Sequence, residues 1–134
     1  MIALDTSAIM ATLLDEPESE VFFNLINTND CVISAATVVE CQSVIVGRFG
    51  LVARDMIALY ISKNEIEIID FDAEQVAVAN NARVFFGRGT GHPAQLNFGD
   101  TFSYALAKTR NIPLLFKGDD FIHTDIMSAI SEVA

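Results

Sequence analysis

The chain reads as an α/β protein with a single domain over residues 1–134, built on a central parallel β-sheet of about five strands flanked by α-helices. Two observations predict this. Short apolar runs bounded by turn residues are separated throughout by helical patterns, and strands joined through helices lie parallel in one sheet. The chain has 134 residues, 51% of them hydrophobic. That length suits one core burying about two-thirds of the unfolded surface, and the apolar excess suits covered strands with some surface left for a partner.

In chain order, Met1 to Leu4 is a short apolar strand that stops at Asp5. Thr6 and Ser7 then offer capping hydroxyls to a helix over Ala8 to Leu14. Asp15-Glu16-Pro17-Glu18 breaks that helix, and a second runs over Ser19 to Asn27 before the Asn29-Asp30 turn. Cys31 to Ser34 is rich in β-formers and leads into a long helical pattern ending at Phe49; Gly50 separates it from another over Leu51 to Ser62. Ile66 to Phe71 alternates as a strand, and Asp72 caps the helix that follows. Gly87 to Gly99 carries Gly, Pro and Asn and reads as a flexible surface loop, long enough to serve function. Asp100 to Arg110 is a capped helix, Pro113 to Phe116 a buried strand, and Asp119 to Thr124 a turn into a last helical stretch.

Charge and cysteine usage narrow the function classes. A formal net charge of −10 argues against this surface holding long duplex DNA by itself, since counterion release needs Lys and Arg facing phosphates. Apolar stretches such as Ala8 to Leu14 are cut short well below the roughly twenty residues of a membrane span, and the N-terminus lacks a basic region. Cys31 and Cys41 have neither CxxC spacing nor a His cluster, so they read as buried thiols in a reducing cytoplasm.

Ligands of open α/β sheets sit beyond the carboxyl ends of the strands. Asp5 directly follows the first strand, and Asp119 and Asp120 follow the strand around Leu114 to Phe116, so acids far apart in sequence converge on one edge. Asp5 and Asp100 each open a helix, where an N-cap aspartate needs no chemistry to explain it. Glu40 is harder to explain, because Val38, Val39, Cys41, Val44, Ile45 and Val46 leave its helix almost no polar face. An ionised carboxylate there needs a cation, a donor set, exposure at a helix end, or an arginine such as Arg48 or Arg83. Clustered like charges repel unless a divalent cation neutralises them, and an oxygen-only donor set selects Mg²⁺, with Mn²⁺ as substitute, over zinc.

Four blocks, in order, carry a resemblance. Met1-Ile2-Ala3-Leu4-Asp5-Thr6-Ser7-Ala8, Val38-Val39-Glu40, Phe98-Gly99-Asp100-Thr101-Phe102-Ser103-Tyr104-Ala105-Leu106-Ala107 and Leu114-Leu115-Phe116-Lys117-Gly118-Asp119-Asp120-Phe121 resemble the ordered motifs of PIN domains. Their wording is similar to that of the VapC-type toxin ribonucleases, and the likeness spans essentially the whole chain. It implies a PIN-like nuclease domain in which Asp5 and Asp100 bind metal, Glu40 binds metal or its waters, and Asp120, with Asp119 as the alternate, completes a catalytic site. Thr6 or Ser7 would hydrogen-bond the attacking water or a ligand carboxylate. The implied reaction is hydrolysis of RNA phosphodiesters by metal-activated water.

The resemblance further implies a cognate antitoxin, a homodimer, and DNA contact through the antitoxin alone. Leu13, Leu14, Phe22, Phe23, Val52 and Ile57 lie on early helices that would line an antitoxin groove or pack the core. Arg83, Arg88, Lys108 and Arg110, with His92, flank the Asp100 block and form a candidate RNA-facing rim. Two other classes remain to be weighed: a PIN-fold binding module without catalysis, and a phosphoacceptor receiver, which would need an acidic pair after the first strand where Asp5 stands alone.

Overall fold

β1 (Ile2–Leu4) is short, wholly apolar and buried on both faces, which suits a central strand. The computed structural model describes residues 1–130. After β1 come α1 (Thr6–Leu13), α2 (Ser19–Thr28), β2 (Cys31–Ser34), α3 (Ala35–Phe49), a 3₁₀ turn (Leu51–Ala53), α4 (Met56–Lys63), β3 (Glu67–Ile69), α5 (Ala73–Phe86), α6 (Phe98–Arg110), β4 (Leu114–Leu115) and a last 3₁₀ turn (Phe121–His123). The four strands form one parallel sheet in the order β3-β2-β1-β4. Where a fifth would lie, the chain makes a single bridge: Leu114 N–H donates to Met127 O at 2.9 Å and Ala129 N–H to Leu114 O at 2.8 Å.

Alternation along the strands divides the core between the two faces. Ile2, Leu4 and Ile33 join Ile9, Phe22, Ile45 and Ile57 on the side of α1 to α4. Ala3, Val32 and Leu114 join Ala82, Leu96, Tyr104 and Leu106 on the side of α5 and α6. Each fully buried Leu, Ile or Phe contributes about 1.5–3 kcal/mol through burial, and this double layer fixes the strand ends at which the site is built. Cys31 and Cys41 are both free and buried, and burial pushes their thiols up to about 11 and about 12. No helix among the described residues is long and apolar enough to cross a membrane.

Three local expectations change. The helix expected over Leu51 to Ser62 divides: Gly50, at a φ of 77°, ends α3, the chain makes a 3₁₀ turn over Leu51–Ala53, and α4 starts only at Met56. The segment expected to be a flexible loop is pinned at its base: Leu96 N–H donates to Phe86 O at 2.8 Å, Arg88 N–H to Leu96 O at 2.9 Å, and Ala94 and Leu96 are buried. α6 begins at Phe98, capped by Asn97, so Asp100 is the third residue of the helix and not its cap.

Candidate active site

Asp5 leaves the central strand at its carboxyl end, and its backbone N–H is tied to Leu115 O on β4 at 3.0 Å. Asp5 is only 4% exposed and has no basic partner among the described residues; hydroxyls and an amide hold it instead. As the N-cap of α1 it accepts from Ser7 N–H at 3.0 Å and Ser7 Oγ at 2.6 Å, both on Oδ2, while Ser103 Oγ donates to Oδ1 at 2.6 Å. Capping and a place in the site thus coexist in one residue.

Glu40 reaches the same place from the second turn of α3, accepting a short hydrogen bond from Thr6 Oγ1. Burial raises its carboxyl above the ordinary range, and the charge of Asp5 adds to this against the Thr6 bond. Neither Arg48 nor Arg83 pairs with it among the described residues: Arg48 lies over the Phe49 ring. The inference from apolar neighbours needs correcting, since Val39 is 69% exposed and Val44 also reaches solvent, so α3 does show an outer face. What encloses Glu40 is α6: a Cβ built on Gly99 would overlap its carboxylate.

Asp100 stands in a capping box, its amide donating to Asn97 Oδ1 and its Oδ2 accepting from Asn97 N–H, each at 2.9 Å. Burial pushes its carboxyl up to about 7, the Asn97 bond opposes this, and the charges of Asp5, Asp120 and Glu40 raise it further. Four acids from four separate segments therefore feel one another across a cleft of about 260 Å³ lined by Asp5, Thr6, Ser7, Glu40, Asp100 and Asp120, with Val44, Asn97, Lys117 and Phe121. Asp119, exposed beside them, does not line it. Lys117 brings no compensating charge to the acids, because its ammonium is bound to Glu16 and Glu18 at 3.0 and 3.2 Å. Its backbone N–H, however, donates to Ser7 Oγ at 2.9 Å and so ties the last block to the first.

The lining contains no His or Cys, so its donors are oxygens, and among the described residues no three His, Cys, Asp or Glu side chains stand close enough to grip one ion directly. Of the basic candidates, Arg83 and Arg88 are exposed at the end of α5 and just after it. Lys108 and Arg110 lie in the last turn of α6, about 12–15 Å along the helix from Asp100. Lys108 pairs there with Asp125 at 2.7 Å, and Arg110 borders a different cleft with Glu67 and Asp70. His92 stacks edge-on against Phe86 at 4.9 Å. Phe22 and Ile57 are core residues, Leu13, Leu14 and Phe23 pack partly against them, and Val52 is 90% exposed. Sequence reading did not single out Ser103 or Gly99; the three-residue spacing of Asp100 and Ser103, which puts both on one side of α6, was the available signal.

A parallel sheet with acids gathered at its carboxyl edge defines a class of protein, and residues 2–127 match the PIN domain. The chain belongs to the PIN-domain family. Its relatives there include Ribonuclease VapC30 of Mycobacterium tuberculosis, 40% identical over 126 residues that span 93% of this chain and 95% of the relative. Ribonuclease VapC28 of the same organism is 41% identical over 128 residues, spanning 95% and 96%. Among solved structures, VapC20 of M. tuberculosis aligns with a TM-score of 0.75 at 17% identity, covering 95% of this chain and 97% of that one. VapBC2 of Rickettsia felis, solved bound to a DNA fragment from its promoter, aligns at 0.70 with 20% identity and 96% coverage of each. At those identities the likeness establishes the fold. Family membership sets the receiver reading aside.

Proposed function

We propose that this chain is an endoribonuclease, the toxin of a toxin–antitoxin pair, that hydrolyses RNA phosphodiesters with Mg²⁺ held by Asp5, Glu40, Asp100 and Asp120. One observation carries the reading. Four carboxylates face a single cleft with no free cation among them, and the charges of the other three help to push Asp100 up to about 7. Such a set is stable in ionised form only with an added positive charge, and its all-oxygen donors fit Mg²⁺ or Mn²⁺. Among the described residues no three of the acids stand close enough to chelate one ion together. That is compatible with Mg²⁺, which keeps several waters and is commonly held through one or two carboxylates.

When bound, the ion would lower the pKa of a water and screen the phosphoryl oxygens. The protein's own contribution is orientation. Ser7 fixes Asp5, Thr6 fixes Glu40, and the capping box fixes Asp100, so little reorganisation is left for the reaction. Exposed Arg83 and Arg88 offer phosphate contacts to RNA. An apolar hollow of about 350 Å³ lined by Leu13, Phe23, Met56, Leu59 and Tyr60 suits a helix of the antitoxin. The acidic toxin would meet DNA only through that partner. A homodimer would cover exposed side chains such as Val84 and Phe85, and the protein would act in the cytoplasm.

The test is cleavage of a structured RNA with Mg²⁺ or Mn²⁺, comparing the intact chain with Asp5→Ala and Asp100→Ala. Loss of several kcal/mol of charge stabilisation lowers the rate on the order of 10²–10³-fold in either variant. Chelation with EDTA should stop the intact enzyme. Equal rates for all three proteins would remove the enzymatic reading.

A further inference from the structure

We infer that Ser103, backed by Thr37, is a positioning residue that decides which lone pair of Asp5 is offered to the metal; this rests on the metal-dependent reading above. The carboxylate of Asp5 has roughly four lone-pair sites. Oδ2 accepts two donors, Ser7 N–H and Ser7 Oγ–H. Oδ1 accepts one, Ser103 Oγ–H at 2.6 Å. A single site therefore stays open, on Oδ1, and the Ser103 hydroxyl sets where it points.

Ser103 is itself fixed from behind. It is 1% exposed, and its hydroxyl lies 3.4 Å from the hydroxyl of Thr37, which is 0% exposed. The Ser103 proton is committed to a carboxylate that can only accept, so across this pair Thr37 is the donor and Ser103 the acceptor. At 3.4 Å this contact is long, so Thr37 supports the Ser103 hydroxyl more weakly than Ser103 supports Asp5 at 2.6 Å. Both helices repeat one spacing: α3 carries Thr37 and Glu40, and α6 carries Asp100 and Ser103, each an acid at the cleft with a hydroxyl three residues away on the same side.

The donors matter because they are neutral. A Lys or Arg partner would also hold Asp5, but would cancel charge that a metal needs. Hydroxyls fix the oxygen and leave its charge available, as partners behind metal ligands do elsewhere.

The test is Mn²⁺ affinity, measured by titration calorimetry on the full chain at a temperature where every variant is folded by circular dichroism. Removing such a partner costs about 10–100-fold in metal affinity, and that loss is expected for Ser103→Ala. A smaller, severalfold loss is expected for Thr37→Val, and no binding at the site for Asp5→Ala. Should Ser103→Ala fail to fold, Thr37→Val decides: weakened Mn²⁺ binding supports the inference, unchanged binding overturns it. Folded Ser103→Ala with the parent's affinity overturns the inference and leaves the metal site intact. A parent chain that binds no Mn²⁺, or an Asp5→Ala variant that binds it equally well, overturns the reading beneath both.

Discussion

Helix α6 meets an aspartate toward each of its ends, and the two are handled in opposite ways. Near its start Asp100 shares a cleft with three other acids, holds only amide contacts, and is pushed up to about 7 by burial and by its neighbours' charges. Near its end Asp125 takes Lys108 Nζ at 2.7 Å and Tyr104 Oη at 2.6 Å; burial alone would raise it, yet these partners hold it below the ordinary value. Asp125 in turn, together with burial, raises the Tyr104 hydroxyl. One end is electrostatically complete as it stands, and the other gathers like charges without a basic partner among the described residues. An acid left without a cation beside acids of its own kind marks where chemistry is to be sought.

The largest way to break this contrast is Gly99→Ala. The new methyl would overlap the Glu40 carboxylate and force it aside. Misplacement of about 1 Å can cost on the order of 10²-fold in rate, while alanine favours the helix by about 1 kcal/mol over glycine. RNA cleavage should therefore collapse with the melting temperature nearly unchanged. Cleavage at the parent rate would mean that Glu40 is not held beneath α6 as described.

Proton linkage provides a second, intermediate effect. The Asp100 carboxyl lies at about 7 in the fold against an ordinary 3.8. Above the lower value the native state keeps a proton that the unfolded chain has released, so metal-free stability falls as pH rises from about 4 to 7. Melting followed across that range without metal should show the decline, and it should be shallower in Asp100→Asn. Saturating Mg²⁺, favouring the ionised form, should flatten it in the parent. Parallel curves for parent and variant would refute the raised value. The smallest effect belongs to the other end: Asp125→Asn loses a half-exposed ion pair worth about 0–1 kcal/mol and should shift melting by a few degrees at most, with cleavage unchanged. A cleavage defect there would undo the separation of the two ends.

Much of this could be read before any coordinates. Strands and helices follow from apolar periodicity, and Asp5 and Asp120 fall at one edge because strand ends in a parallel sheet do. Three things could not be read. Phe98-Gly99 reads as loop in sequence although α6 starts there, and the glycine suits its place because Glu40 occupies the space a side chain would take. Ser103 gives no signal of its own, because a serine inside a helix is ordinary until its partner, 98 residues away in sequence, is known. The apolar neighbours of Glu40 along α3 do not reveal that the surface enclosing it comes from α6, another element altogether.

The link from the Lys117 amide to the Ser7 hydroxyl has an evolutionary reading. Because the last acidic block is moored to the first through the main chain, the side chain at position 117 can drift among nineteen residues without slackening that mooring. Proline, which has no amide hydrogen to give, is the single replacement barred by chemistry and not by size.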